Sequence, residues 1–89
     1  KATMLGVGQQ LHLSPMMASC ETVAPAAIYA HIGLKGTMAR IIDNYHCNWE
    51  GQTMYIILFD NGWQQWLLGS KEMTNMLPTT KNNICVTTI

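Results

Sequence analysis

Apolar and polar residues alternate with a period of two in several short stretches of this chain, which is the pattern of β-strands. Leu11 and Leu13 flank His12, so residues 7–13 are predicted to form a first strand with the two leucines on one face. Further strands are predicted over residues 37–45, 53–59, 63–68 and 84–88. The run from Met54 to Phe59 is apolar at every position, which is typical of a strand that is covered on both faces.

A tight turn is predicted at Asp60-Asn61-Gly62, between the third and fourth of these strands. Asn-Gly between apolar runs is the strongest short-range hairpin signal, because both central residues of the favoured turn need a positive φ. The sequence therefore predicts an antiparallel hairpin over 53–68. In the preceding strand the alternation is broken between Met38 and Ile42, and a β-bulge would restore it.

Two stretches do not follow the strand period. Within residues 15–32, Pro25 suits the first turn of a helix and Gly33 suits a C-terminal cap, so a short helical insertion is predicted there. A long irregular loop over the sheet is the alternative. Ser70 is in a position to cap a one-turn helix over 70–73. The chain is thus expected to be mostly β, with one domain over 1–89.

The composition suggests that part of the apolar surface is covered by another chain. Of the 89 residues, 48% are apolar and only 11% are charged, against about 25% charged in an average globular domain. A small domain has much surface and little interior. The interface candidates are the second face of the third strand: Met54, Ile56 and Leu58. We therefore expect a protein partner or self-association as a homodimer or higher oligomer, whereas a neutral surface rich in Asn, Gln and Thr is the alternative.

Charge and cysteine usage argue against several other classes. The net charge is zero and the five basic residues are scattered, so nucleic-acid binding is disfavoured, since it needs clustered Lys and Arg. The apolar runs are too short to span a membrane. Cys20, Cys47 and Cys85 are odd in number and widely spaced, which predicts free thiols in the cytoplasm. Their spacing gives no metal motif, and we expect no metal and no cofactor.

At the level of architecture, the chain resembles the SH3-like small β-barrels, including the Tudor-type and KOW-like branches. The resemblance is carried by Gly8-Gln9-Gln10-Leu11-His12-Leu13, Lys35-Gly36-Thr37-Met38-Ala39-Arg40-Ile41, Tyr55-Ile56-Ile57-Leu58-Phe59-Asp60-Asn61-Gly62 and Trp66. It implies a single antiparallel barrel of about five strands. A fold of this kind hosts many unrelated activities, so the resemblance implies little about function.

Aromatic residues near the hairpin are the candidate ligand-binding groups: Tyr45, Trp49 and Trp63, with Asp60 beside them. Tudor-type barrels build a similar aromatic cage, which holds a methylated cation by cation–π attraction. The competing interpretation assigns aromatic residues to the core, Tyr55 and Trp66 above all.

Ser19-Cys20-Glu21 and His46-Cys47 each contain a nucleophile type. No catalytic residue is assigned, because a catalytic cysteine needs a base that is close in space, which a sequence does not show. The preferred function is a non-enzymatic protein-binding or assembly module that presents the apolar face of strands 53–59 and 63–68. An aromatic-cage peptide reader, a single-stranded nucleic-acid binder and a small oligomeric enzyme with a shared site are the alternatives. The enzyme alternative rests on a loose similarity of Gly6, Gly8 and Gly36 to plasmid-type dihydrofolate reductases, which assemble one pore from four short barrels.

Overall fold

The computed structural model describes residues 4–15, 31–45, 52–78 and 84–89. These residues form six strands: β1 (Gln10–Pro15), β2 (Lys35–Ile42), β3 (Thr53–Phe59), β4 (Gln64–Gly69), β5 (Met76–Pro78) and β6 (Ile84–Thr88). The strands make one antiparallel sheet in the order β4-β3-β2-β1-β6-β5. The fold is therefore mostly β, as predicted. Most of the predicted helical insertion at 15–32 lies outside the described residues.

The five strands predicted from alternation are all present in the described part of the chain, and β5 is an additional strand that the sequence did not predict. Its three residues are too few to show a period, and Pro78 is unusual in a strand because it cannot donate to a ladder. The predicted one-turn helix at 70–73 is wrong. In its place the N–H of Met73 donates to the carbonyl of Ser70 at 3.3 Å, which closes a turn.

One face of the sheet carries the core. Tyr55, Ile57 and Phe59 share one face of β3 and are each at most 2% exposed. Around them lie the other buried members of the cluster: Leu5, Leu11, Leu13, Met38, Leu67, Leu77, Ile84 and Val86. Burying an aliphatic or aromatic side chain of this kind stabilises a fold by about 1.5–3 kcal/mol. The cluster contains residues from all six strands, which makes a single hydrophobic core.

The predicted bulge is confirmed in β2. The pairing of β2 with β3 shifts register between Met38 and Arg40, so that Met38 lies in the core and Ile41 packs against it. Close packing of the same two strands explains the buried Gly36. A methyl group on Gly36 would lie 2.8 Å from Phe59 Cδ1 and 2.9 Å from the carbonyl oxygen of the preceding residue. Only glycine fits there without displacing the neighbouring strand.

The hairpin between β3 and β4 is present, but its turn differs from the prediction. The N–H of Gly62 donates to Phe59 O at 2.9 Å, and the N–H of Phe59 donates to Trp63 O at 2.8 Å. Gly62 has a φ of 91°, whereas Asn44 is the one non-glycine residue with a positive φ in the described ranges. The expectation of positive φ at both Asn61 and Gly62 is therefore wrong. Three residues lie between the hydrogen-bonded residues Phe59 and Trp63, and the last of them, Gly62, adopts the left-handed conformation, which is common in three-residue hairpin loops.

Candidate functional site

The predicted cage residues are placed in different parts of the fold. Asp60 and Trp63 lie at the hairpin turn, and Trp63 is 37% exposed. Tyr45 lies after β2, where its N–H donates to Gln52 O at 2.9 Å. Trp49 lies outside the described residues, so the predicted pairing of Trp49 with Trp63 stays a prediction.

Trp63 already has two aromatic neighbours. Its ring centroid lies 5.4 Å from that of Phe59 and 5.4 Å from that of His31, with tilts of 31° and 54°. Part of the π surface that a cation would contact is therefore occupied. The turn is also tied to β2, because the N–H of Asp60 donates to Lys35 O at 2.8 Å. These contacts give Trp63 and the backbone of Asp60 a role in fixing the hairpin.

The other face of the hairpin carries exposed apolar side chains. In the pairing of β3 with β4, Met54 lies opposite Leu68 and Ile56 lies opposite Trp66. Leu58 is 47% exposed, Trp66 54% and Leu68 42%. We call these three residues the hairpin face. They surround Met54 and Ile56 and form an exposed apolar surface on this side of the hairpin.

This arrangement changes the predicted interface in two respects. Met54 and Ile56 are only 5% and 6% exposed within the single chain, so of the three predicted interface residues only Leu58 offers substantial area. Trp66, which the sequence placed in the core, points to the opposite side. The reason is alternation along β4: Leu67 is 3% exposed and takes the inward position, which turns Trp66 and Leu68 outward.

Polar residues border the hairpin face, and the two strands of the hairpin carry no charge. Neither β3 nor β4 contains a charged residue. Arg40 of β2 lies opposite Ile56, and Gln64 lies opposite Leu58. The indole N–H of Trp66 donates to Gln64 Oε1 at 3.3 Å, which restrains the ring. An apolar centre with a polar rim is the usual anatomy of a protein-binding patch.

A polar seam on β1 and β6 was not predicted. It consists of His12, Ser14, Cys85 and Thr87 on the outward face of the two strands. Thr87 Oγ1 lies 3.4 Å from His12 Nε2 and 3.2 Å from Ser14 Oγ, and Ser14 Oγ lies 3.4 Å from Cys85 Sγ. The residues of the seam alternate along each strand with the buried residues Leu11, Leu13, Ile84 and Val86, so the sequence does indicate which residues of each strand share the outward face. The pairing of β1 with β6 links distant parts of the chain, and no local signal reveals it.

The side chains of the polar seam form hydrogen bonds that join β1 to β6, and their role is structural. Cys85 is a free thiol that is 1% exposed, and its sulfur lies 3.6 Å from Ser14 O and 3.8 Å from Pro15 O. A nucleophilic cysteine needs access to its substrate, and this thiol has none. His12 Nδ1 is buried without a hydrogen-bond partner. Among the described residues no group of three or more His, Cys, Asp or Glu is placed to hold a metal ion.

Tyr55 is the titratable group whose surroundings matter most to the hairpin. Its hydroxyl donates to Ser70 O at 2.6 Å, across the chain that leaves β4. Burial raises the pKa of Tyr55 above its ordinary value of 10.0, and the negative charges of Asp43 and Glu72 raise it further. The hydroxyl therefore stays protonated and serves as a donor that anchors the end of β4.

Comparison with known proteins gives no match to this chain, either among family models, among curated proteins or among solved structures. Within the described ranges, no helix has the length and apolar character needed to cross a membrane.

Proposed function

We propose that this chain is a non-enzymatic binding module that holds an uncharged, apolar segment of a protein partner on the hairpin face. The observation that carries the proposal is the exposure of Leu58, Trp66 and Leu68, which lie together on one side of a hairpin and are each 42–54% exposed. Isolated exposed apolar residues are ordinary, whereas a contiguous group that includes a tryptophan is typical of an interaction site.

The energetics of the hairpin face favour such a partner. Full burial of each apolar side chain would contribute about 1.5–3 kcal/mol, and roughly half of each is still available. Tryptophan is enriched among residues that dominate binding energy. Because β3 and β4 are uncharged, an apolar partner that contacts these two strands desolvates no charge of the hairpin, and the charge of Arg40 lies on the neighbouring strand β2.

We also propose that the sheet closes into a small SH3-like barrel. The chain passes from Gly69 at one edge of the sheet to Met76 at the other in seven Cα steps. Seven extended steps reach at most about 25 Å. Six flat strands at about 4.8 Å spacing would separate the edges by about 24 Å. The connection also contains the turn between Ser70 and Met73, so it is too short to cross a flat sheet.

Contacts between the two edges support the same closure. Leu67 of β4 and Leu77 of β5 belong to one core cluster, although their strands stand at opposite edges. A strongly curved sheet places its outer residues on a convex, firmly supported surface. The free thiol of Cys85 is consistent with a reducing compartment, and a cytoplasmic location remains part of the proposal.

Selection of peptides from a phage-displayed library on the immobilised wild-type chain tests this function. Peptides that enrich should bind the Leu58→Lys variant at least about tenfold more weakly, because a charge replaces an apolar contact (about 1.4 kcal/mol or more). Val7→Lys is the matched control, since Val7 is also apolar, is 67% exposed and precedes β1, outside both strands of the hairpin. Peptides that bind Leu58→Lys as tightly as the wild type would contradict the proposed surface.

A further inference from the structure

The two edges of the sheet are unequal in how they are protected. β5 is three residues long and contains Pro78, and short strands with proline resist pairing with other chains. β4 has six residues with no charge and no proline, and its pairing with β3 runs without a register shift from Gly69 to Gln64. Among the described residues its backbone bonds run to β3 alone. Such an edge is a template for another strand.

We propose that, beyond the peptide segment on the hairpin face, a second copy of this chain binds the open edge of β4. The copies join by antiparallel pairing of β4 with the β4 of the other copy, around a two-fold axis at Trp66. The occupant of an open strand edge is itself an extended strand, since only extended backbone matches its row of N–H and C=O groups. Because the edge and the hairpin face meet on β4, that strand must also be apolar and uncharged. β4 is extended and uncharged, and from Trp66 to Leu68 it is apolar.

Charge does not oppose the pairing of two copies. The chain has a formal net charge of zero, so no net repulsion separates two copies. β4 itself places no like charges opposite one another, which would destabilise a cross-strand pair. The three residues of the hairpin face fall short of the roughly 800 Å² that each partner contributes to a stable interface. A stable dimer therefore also needs the backbone hydrogen bonds of the β4 edge. These bonds form when two strands pair and are absent when only the hairpin face is covered.

The register follows from the crowding at one end of β4. A methyl group on Gly69 would lie 3.3 Å from Met73 Cε and 3.5 Å from Leu77 Cδ2, so Gly69 is the crowded end of β4. We therefore place the pairing at Gln64 to Leu68, whose backbone bonds within the described residues run to β3 alone. Antiparallel pairing of these five residues with themselves centres on Trp66. Trp66 then lies opposite its own copy, and Leu68 lies opposite Gln64. Each Trp66 also lies diagonal to the other copy's Leu68, within reach of an aromatic side chain.

Sedimentation velocity over about 1 µM to 1 mM tests the assembly, a range that spans weak to moderate homodimers. The wild type and the Val7→Lys control should form dimers. Trp66→Lys should remain monomeric over the whole range, because two lysines would face each other across the axis. Leu58→Lys, which lies on β3 and away from the edge, should keep the dimer with a loss of less than about tenfold in affinity.

Cysteine cross-linking tests the register. In a variant with the three native cysteines replaced by alanine and its fold checked by circular dichroism, Trp66→Cys should oxidise to a covalent dimer, since position 66 faces itself. Leu68→Cys should not, since it faces Gln64. A chain that sediments as a dimer but cross-links at 68 and not at 66 would overturn the two-fold axis at Trp66.

The failure of this inference differs from failure of the proposed function. A wild-type chain that is monomeric at about 1 mM but binds library peptides in a Leu58-dependent manner would overturn self-pairing and leave the binding module standing. Equal dimerisation of the wild type and Trp66→Lys would place the self-contact elsewhere and overturn the inference. A monomeric chain whose selected peptides bind the Leu58→Lys variant as tightly as the wild type would contradict both self-pairing and the proposed function.

Discussion

Gly69 and Leu77 are neighbours in space although they stand on opposite edges of the sheet. A methyl group on Gly69, at the end of β4, would lie 3.5 Å from Leu77 Cδ2 of β5, which is ordinary van der Waals distance. The six-residue connection between the strands brings them together, and both edges contribute to one core. Energetic coupling between these two positions therefore tests whether the two edges are in contact.

A double-mutant cycle at Gly69 and Leu77 measures that coupling. Leu77 is fully buried, so Leu77→Ala should lower the free energy of unfolding by about 2–5 kcal/mol. Gly69→Ala places its methyl group in ordinary contact with Leu77, and that contact is lost in the Leu77→Ala background, so the effects of the two substitutions should not add. We expect a coupling energy of at least about 0.5 kcal/mol by urea denaturation. Strict additivity would mean that the edges do not meet.

The close approach of β2 and β3 makes Gly36 intolerant of substitution. Gly36→Ala would force a methyl group to within 3 Å of the Phe59 ring and of a β3 carbonyl oxygen. We expect a loss of about 1–3 kcal/mol in the free energy of unfolding. Gly6→Ala is the control, because a methyl group there meets nothing within 4 Å and the backbone φ is not in the left-handed region. Equal effects of the two substitutions would contradict the described packing.

The hydroxyl of Tyr55 should contribute to stability through one hydrogen bond. Tyr55→Phe leaves the ring in the core and removes the donor to Ser70 O, so we expect a loss of about 0.5–1.5 kcal/mol at neutral pH. Chemical denaturation followed by tryptophan fluorescence measures it. An unchanged midpoint and slope would show that the 2.6 Å contact carries no net energy.

The raised pKa of Tyr55 also predicts a pH dependence. The folded chain keeps this proton above pH 10.0, where an unfolded tyrosine loses it. The unfolded state then binds fewer protons than the folded state, so the free energy of unfolding falls as the pH rises above 10.0. Below that pH the contribution is fully present. The Tyr55→Phe variant should lose less stability over the alkaline range than the wild type. If the free energies of unfolding of the two proteins fall in parallel as the pH rises, Tyr55 does not cause the pH dependence.

Much of this fold is predictable from local patterns in the sequence. Period-two alternation located five of the six strands, and the broken alternation in β2 indicated the bulge after Met38. The turn at Gly62 was located by its Asn-Gly signal. The predictions that failed concern features that depend on residues remote in sequence. β5 is stabilised by pairing with β6, and the number of turn residues that adopt a positive φ is fixed by the register of the two strands.

The candidate site was predicted less completely, because exposure is a property of the assembled sheet. The apolar second face of β3 was visible in the sequence, but the burial of Met54 and Ile56 and the exposure of Trp66 depend on their cross-strand neighbours. A tryptophan in a short chain is usually expected in the core. Its outward position here follows from the phase of β4, in which Leu67 takes the inward side.

Two adjacent residues on opposite faces of β3 provide a test of this assignment. Ile57 is fully buried in the core, and Leu58 is 47% exposed on the hairpin face. Ile57→Ala should cost about 2–5 kcal/mol of stability, while Leu58→Ala should cost less than about 1 kcal/mol. The comparison needs only thermal or urea unfolding of the two variants. A reversed order would place the hairpin face in the core and end its candidacy as a binding surface.

The most direct test of the hairpin face is an NMR titration of the ¹⁵N-labelled chain with a peptide selected on the wild type. The indole N–H signal of Trp66 and the amide signals of Leu58 and Leu68 should shift. The indole signal of Trp63, which packs against Phe59 and His31, should move little. Unchanged Trp66 and Leu58 signals, with the shifts confined to the polar seam or to the Trp63 cluster, would contradict the account.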